Sequence, residues 1–313
     1  VEVSQTRIKN RIVLPPMQTG RAGEDGEVTE ELINHYRQYN RNVGLIIIEH
    51  SYVLSEGKYS SGQLGIDKDS LVSGLKNLAK NSCKRGSKAL IQLNHAGIKA
   101  EEPDLDLLDY NYEGSLTKYS QKELDRIVEA FGKAGKRAME AGFDGVEIHG
   151  AHGFLLSQFV SPITNDRDDS YGEKLKNRIK LPLRVAEKVR QEIDDGILSY
   201  RLGATDLDPR GFTIEDAKVL ANKLTSRGVD LLDVSGGLCG SNPESLEAKQ
   251  GFFIPQAREI KTAVNTPVIG VGGITDPAYA NKLIESRDVD LVAVGRAQLK
   301  HPEWAKEAIN ELN

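Results

Sequence analysis

Eight short apolar runs, separated by longer polar segments, constrain this sequence more than any other feature. They occupy residues 11–17, 45–49, 89–93, 145–149, 198–202, 231–234, 268–271 and 291–294. Each is of strand length, rich in Val, Ile and Leu, and lacks strict alternation. Such runs mark strands buried on both faces, as in a parallel sheet. The segments between them carry helix signals. Ser120 to Glu123 is a capping box opening a helix to about Ala141. Thr213 precedes Glu215 and Asp216, and Asp276 precedes Pro277. Segments 71–81, 177–192, 255–264 and 304–310 complete the series. Strand and helix alternate throughout, which implies βαβ units. Eight such strands predict an α/β fold closed into a single (β/α)8 TIM barrel spanning residues 1–313. No linker, repeat or low-complexity tract divides the chain.

Composition narrows the function classes. Lys and Arg number 41 against 46 Asp and Glu, a formal charge of −5 that argues against a nucleic-acid or anionic-membrane partner. Cys83 and Cys239 lie far apart with no CxxC. They predict neither a disulfide framework nor an iron–sulfur cluster, and suit a reducing compartment. The longest aliphatic stretch, Leu45-Ile46-Ile47-Ile48, is far short of the ~18 residues of a membrane span. No basic segment followed by an apolar one opens the chain, so the expected location is cytoplasmic.

In a (β/α)8 barrel the active site sits at the C-terminal ends of the strands. Polar residues gather there: Gln18, then Glu49-His50-Ser51, then Gln92, Asn94 and His95, then His149 and His152, then Arg201. Four of the six histidines, His50, His95, His149 and His152, fall at these ends. His35 lies in a predicted helix, and His301 lies elsewhere. The longest irregular stretch, 98–118, follows the third strand on the same side.

Strands seven and eight end in Gly272-Gly273 and Gly295-Arg296. Glycines let backbone amides approach a phosphate, a following helix N-terminus adds a favourable dipole, and arginine adds a fixed positive fork. Loops seven and eight are the usual phosphate site of such barrels. The pair predicts a phosphate-bearing ligand, with plain turn chemistry as the alternative. His149 and His152, spaced i, i+3, could donate two hydrogen bonds to a substrate oxygen or be satisfied inside the core. The pair lacks the glutamate of HExxH, and no metal site is predicted.

Read together, these residues resemble the old yellow enzyme family, the FMN-dependent NAD(P)H:flavin oxidoreductases and ene-reductases. The resemblance rests on Asn10-Arg11-Ile12-Val13 with Pro16-Met17, on Gln92-Leu93 with His95-Ala96-Gly97, and on Glu147 to Gly153. It continues through Ser161-Pro162, Asn165, Arg167, Tyr171-Gly172, Asn177-Arg178, Arg201, Gly272-Gly273-Ile274 and Gly295-Arg296. The pattern is most similar to the compact bacterial class related to the barrel domain of dienoyl-CoA reductases.

The resemblance implies non-covalent FMN at the C-terminal mouth and NAD(P)H as electron donor. Pro15, Pro16, Met17 and Gln18 would line one flavin edge, with His50 against the ring. Gln92 and Arg201 would hydrogen-bond the ring, and Gly272, Gly273, Gly295 and Arg296 would hold the phosphate. His149 and His152 would be the catalytic pair. They would hold the oxygen of an activated alkene, with Phe154 beside them, while hydride passes to the β-carbon.

The departures from the family pattern are local. Phe154 replaces the tyrosine that usually donates the proton, so that proton must come from elsewhere. Gln18 replaces Thr or Cys, Thr19 and Gly20 stand where an aromatic often follows, and Ile98 replaces a common arginine. Simple enones should therefore be reduced slowly. Alternative functions are an FMN-dependent demethylase or dehydrogenase of a small amine or betaine, or a flavin-binding barrel with little turnover. Other FMN barrels, the dihydroorotate dehydrogenases and tRNA dihydrouridine synthases, fit the His149/His152 pair less well. The cysteine cluster and extra flavin domains of larger relatives are absent from these residues, so electrons are expected to arrive at one flavin directly from a soluble donor, or from the substrate itself. The expected partner is a small-molecule substrate, and a homo-oligomer is left open.

Overall fold

The computed structural model describes residues 1–39, 41–83, 86–100, 105–108, 114–246 and 249–312. The described chain opens with a small antiparallel hairpin, β1 (Glu2–Val3) and β2 (Thr6–Arg7). Eight parallel strands follow: β3 (Ile12–Leu14), β4 (Leu45–Tyr52), β5 (Lys88–Asn94), β6 (Gly145–Gly150), β7 (Ile197–Gly203), β8 (Leu231–Ser235), β9 (Val268–Gly270) and β10 (Leu291–Ala293). They pair in chain order, and β10 returns to β3 to close the barrel. All eight expected strands are present. The first is shorter than its apolar run because Pro15 and Pro16 supply no ladder donors.

Outside the barrel lie α1 (Glu30–Arg37), α2 (Val72–Ser82), α3 (Gln121–Ala141), α4 (Leu155–Val160), α5 (Leu175–Arg178), α6 (Lys180–Glu192), α7 (Ile214–Thr225), α8 (Ile254–Ala263), α9 (Pro277–Glu285), α10 (Arg296–Lys300) and α11 (Trp304–Leu312). The capping box of α3 forms as expected: Ser120 Oγ accepts from Glu123 N, and Glu123 Oε2 accepts from Ser120 N. The segment expected as one helix over 177–192 is instead two, interrupted at Ile179. Pro182 explains the break, because its ring clashes with the carbonyl four residues back, that of Arg178. Of the irregular stretch 98–118, residues 101–104 and 109–113 lie outside the described set; short 3-10 turns stand at either end. No described helix is long and apolar enough to cross a membrane.

The barrel interior grades from apolar to polar along the strands. Leu90, Ile197 and Leu231 sit with Val13, Leu45 and Ile47 in one buried cluster, closed from the N-terminal end by Val3 and Ile8 of the hairpin segment. Side chains two residues apart share a face of a strand. Leu90 therefore leads to Gln92 and Asn94, Ile197 to Ser199 and Arg201, and Leu231 to Asp233 and Ser235. Gly145 likewise leads to Glu147 and His149. The outward residues Val146, Ile148, Leu198, Tyr200, Leu232 and Val234 pack in the helix-facing core. One end of the barrel is thus sealed by hydrocarbon, and the other presents polar side chains.

Strand β4 breaks the alternation. Its register with β5 shifts between Ile48 and Ser51, so Glu49 and His50 together oppose Gln92. This bulge re-aims the pair. Glu49 meets the hydroxyl of Tyr36 on α1, while His50 turns to Asn94 at the polar end.

Candidate active site

The polar end opens into a cleft of about 760 Å³. It is lined by every residue predicted for the site: Pro15, Pro16, Met17, Gln18, His50, Gln92, His149, His152, Phe154, Arg201, Gly272, Gly273, Gly295 and Arg296. His95 sits at a strand end but outside the cleft; its Nδ1 accepts from Gly97 N at 3.0 Å and holds the turn after β5.

The glycine loops form one wall. Gly272 has φ +131°, and a Cβ there would stand 2.7 Å and 2.8 Å from the backbone nitrogens of Phe252 and Phe253. Gly273 has φ +61°, and a Cβ on it would lie 3.4 Å from Arg296 Nη2, so the guanidinium runs beside this loop. A Cβ on Gly295 would stand 3.0 Å from Met17 Sδ and 3.3 Å from Pro15 Cγ. Gly272 therefore meets main chain in a way only glycine permits, while Gly295 stands close to the Met17 and Pro15 side chains. The expected helix dipoles are unequal. Helix α9 starts four residues past Gly273, and the Asp276 side chain caps it on Ala278 N. Helix α10 begins directly at Gly295-Arg296 and points its first turn at the cleft.

Under the cleft lies a buried charge cluster. Arg201, 4% exposed, stands with Nη1 3.3 Å from Asp233 Oδ2. Among the described residues its Nε and Nη1 have no hydrogen-bond partner of good geometry. Glu147 accepts from Gln92 Nε2 at 2.9 Å and from Ser199 Oγ at 2.8 Å. Burial pushes the Glu147 carboxyl far above its usual range, and repulsion from Asp233 adds to this against the pull of Arg201. Burial raises Asp233 as well. Burial and the mutual repulsion of the two acids both favour protonation of Glu147, against the pull of the one guanidinium.

The opposite wall is aromatic and imidazole. His149 and His152 stand perpendicular, with ring centroids 5.0 Å apart and planes at 88°. His152 adopts φ +57°, donates its backbone N–H to Gly236 O, and sets Nε2 2.7 Å from Ser235 Oγ. Burial holds both imidazoles neutral, with pKa values well below the usual histidine range. His149 Nδ1 is buried and lacks a partner among the described residues. Phe154 caps α4 and packs on His149 at 4.9 Å, His50 at 5.2 Å and Tyr59 at 5.2 Å.

The tautomer of His50 follows from its neighbours. Gln63 Oε1 accepts from Tyr59 N at 2.6 Å, so the Gln63 amide nitrogen faces His50 Nδ1 at 3.0 Å. Asn94 Nδ2 faces the same Nδ1 at 3.1 Å. Two donors on Nδ1 leave the proton on Nε2, which donates to Gln18 Oε1 at 3.3 Å. Gln18 Nε2 in turn donates to Ser60 Oγ. Burial lowers the pKa of His50 to about 4, which keeps it neutral.

Residues 1–313 match the sequence profile of the NADH:flavin oxidoreductase / NADH oxidase family. The chain belongs to that family. Two curated relatives agree. An NADH oxidase of Thermoanaerobacter brockii is 38% identical over 316 residues, covering 96% of this chain and 48% of that protein. An NADH:acrylate oxidoreductase of Vibrio harveyi is 36% identical over 327 residues, covering 98% of this chain and 32% of that protein. The chain thus spans half or less of the curated relatives it matches. Among solved structures, 2-naphthoyl-CoA reductase with 2-naphthoyl-CoA superposes with a TM-score of 0.89 at 22% identity, over 99% of this chain and 51% of that one. An old yellow enzyme homologue from Zymomonas mobilis superposes with a TM-score of 0.82 at 23% identity, over 100% and 92%. At that identity the two structures establish the fold, which is the expected (β/α)8 barrel.

Against the family pattern the cleft contains residues that sequence reasoning missed: Tyr59, Lys99, Lys300, Phe252 and the 240–242 stretch among them. Tyr59 lies on the loop after β4, where barrel logic alone would have pointed. Lys300 follows Arg296 by one helical turn. Lys99 follows the His95-Ala96-Gly97 stretch by two residues; a Cβ on Gly153 would stand 3.5 Å from its Nζ.

Proposed function

We propose that this chain is a single FMN-binding barrel that takes electrons from NADH or NADPH and reduces an electron-poor alkene bound by His149 and His152. The observation that carries this reading is the cleft's two-ended chemistry. One end is a glycine cradle with Arg296. The other is a pair of neutral, perpendicular imidazoles, one with an unpartnered buried nitrogen.

The residues fit FMN on grounds internal to the site. The Gly272 cradle would be filled by any Cβ, and Arg201 keeps unpaired N–H groups at the foot of the cleft. Gly272, Gly273, Gly295 and Arg296 would hold the phosphate. Gln92 and Arg201 would meet the ring, with Pro15 to Gln18 along one edge. Bound FMN supplies a two-electron carrier between the nicotinamide and the acceptor.

The chain's own residues do the rest. A neutral imidazole donates one N–H and accepts at its other nitrogen. His152 Nε2 pairs with Ser235 Oγ at 2.7 Å, and in the tautomer in which the hydroxyl donates, His152 Nδ1 carries the proton as a donor. His149 offers a second. Two donors on the acceptor oxygen stabilise the negative charge that grows there as hydride arrives at the β-carbon. Lys99, beside Gly153 and His152, makes this end of the cleft cationic and suits an acceptor carrying a carboxylate. The curated relative named for acrylate gives the first compound to try, and both relatives' names give NADH as the first donor.

The test is anaerobic spectroscopy of the flavin-loaded protein. NADH or NADPH should bleach the flavin band, and acrylate should restore it with formation of the saturated product, with the simple enone 2-cyclohexenone doing so more slowly. Bleaching by a small amine or betaine without nicotinamide would instead favour a dehydrogenase. No bleaching by either would leave a binding barrel.

A further inference from the structure

Reduction of an alkene adds hydride at the β-carbon and a proton at the α-carbon. Phe154 cannot supply that proton. Another acid must therefore stand in the cleft. His50, His149 and His152 are neutral, and a neutral imidazole N–H is a very weak acid. The amides of Gln18 and Gln92 are weaker still. A phenol and two ammonium groups remain, those of Tyr59, Lys99 and Lys300, and Lys300 stands on α10 one turn past Arg296, at the glycine end.

The geometry separates them. Lys99 lies over Gly153, on the His152 side. Tyr59 stands edge-on to the Phe154 ring, with centroids 5.2 Å apart and planes at 86°. It also lies 6.0 Å from the ring of His50. Phe154 itself touches His149. A tyrosine ring therefore abuts Phe154 and lines the cleft from the loop after β4. That loop is pinned: Tyr59 N donates to Gln63 Oε1 at 2.6 Å, and Gln63 Nε2 donates to His50 O at 3.1 Å. Gln63 is fully buried. The amide that fixes the His50 tautomer thus also fixes the backbone of Tyr59.

We propose that Tyr59 is the proton donor to the α-carbon of the acceptor, replacing the hydroxyl that Phe154 lacks. This rests on the alkene-reductase reading above. Electrons and atoms balance: the nicotinamide donor supplies the hydride, the Tyr59 O–H bond breaks as the Cα–H bond forms, and water reprotonates the phenolate.

The test uses flavin-loaded wild type, Tyr59→Phe, and the double variant Tyr59→Phe with Phe154→Tyr. Stopped-flow follows flavin reduction by NADH, then reoxidation by acrylate or 2-cyclohexenone. Calorimetry follows binding of propionate, the saturated product of acrylate. In Tyr59→Phe, reduction by NADH and propionate affinity should stay within about threefold of wild type. Reoxidation by the alkene should fall by about 100-fold or more, the usual worth of a positioned acid. The double variant should recover at least tenfold of that loss. Reoxidation of Tyr59→Phe within threefold of wild type overturns the proposal. So does a loss matched by an equal loss of propionate affinity, which would make Tyr59 a binding wall. A wild-type protein that binds propionate but is not reoxidised by either alkene overturns the reductase reading itself, and this assignment with it.

Discussion

Glu49 is fully buried on β4, beside the Tyr36 hydroxyl of α1. Burial raises its pKa from 4.5 to about 7. The sign of the stability effect follows from which state holds the proton. Below the unfolded value both states are protonated and the group is neutral in its effect. Between 4.5 and about 7 the unfolded chain releases its proton while the folded one keeps it, so stability falls as pH rises. Above that window the ionised, buried carboxylate costs about 3 kcal/mol, at about 1.36 kcal/mol per pKa unit. Glu49→Gln keeps the shape and an acceptor for Tyr36 but removes the charge. Urea unfolding of both proteins at pH 5 and pH 8 isolates the effect, since every other titrating group is common to the two. The variant should gain about 2–3 kcal/mol relative to wild type between the two pH values. A difference between the proteins that stays the same at pH 5 and pH 8 would refute the reasoning.

Three further outcomes are expected. Gly272→Ala should lower flavin affinity at least tenfold by equilibrium dialysis, because its Cβ meets backbone nitrogen at 2.7 Å and not a yielding side chain; Gly142→Ala, whose Cβ meets open space, should cost only about 1 kcal/mol in urea and keep its flavin. His149→Ala should weaken acceptor-analogue binding about fivefold to tenfold, the worth of one neutral hydrogen bond, with flavin reduction by NADH retained in stopped-flow. Ser120→Ala should cost about 1 kcal/mol in urea unfolding by removing the capping box of α3, with no change in cleft binding.

Much of this architecture is legible in the sequence, for a definite reason. Strands sheathed by helices on one side and packed on the barrel axis on the other must be apolar throughout, so they stand out as runs such as Leu45 to Ile48. The glycine loops were legible because Gly272 is required by a backbone clearance that a Cβ would violate, and Gly273 beside it takes a positive φ. What stayed hidden depends on tertiary contacts. The bulge that turns His50 inward leaves no local mark beyond polar residues at a strand end. The hairpin at the N-terminus has strands of two residues each, too short for any periodicity. The break at Ile179 required reading Pro182 backward by one helical turn. Tyr59 carries no motif at all, and only its ring against Phe154 singles it out.

The two ends of the cleft are built from different materials, and this explains where the chain departs from its family. The glycine end, proposed above to hold the phosphate, is backbone against backbone at Gly272: a Cβ there collides with main-chain nitrogen, which cannot rotate away. Substitution at Gly272 should therefore disturb the loop's backbone and the proposed phosphate site together. The acceptor end is side chain against side chain. Phe154, His50, Tyr59 and Gln18 meet through rings and amides that can be exchanged in concert. The His50 tautomer depends on Gln63 and Asn94, and Gln63 also carries the Tyr59 backbone. A change at position 154 can therefore be offset on the loop after β4 without moving the cradle. The departures at 18 and 154 fall in one connected network, linked through His50, and not at two unrelated sites. Replacing Gln63 by Leu should uncouple them, loosening both His50 and Tyr59 while the flavin stays bound. Flavin loss in Gln63→Leu as severe as in Gly272→Ala would show that the two ends are not separable.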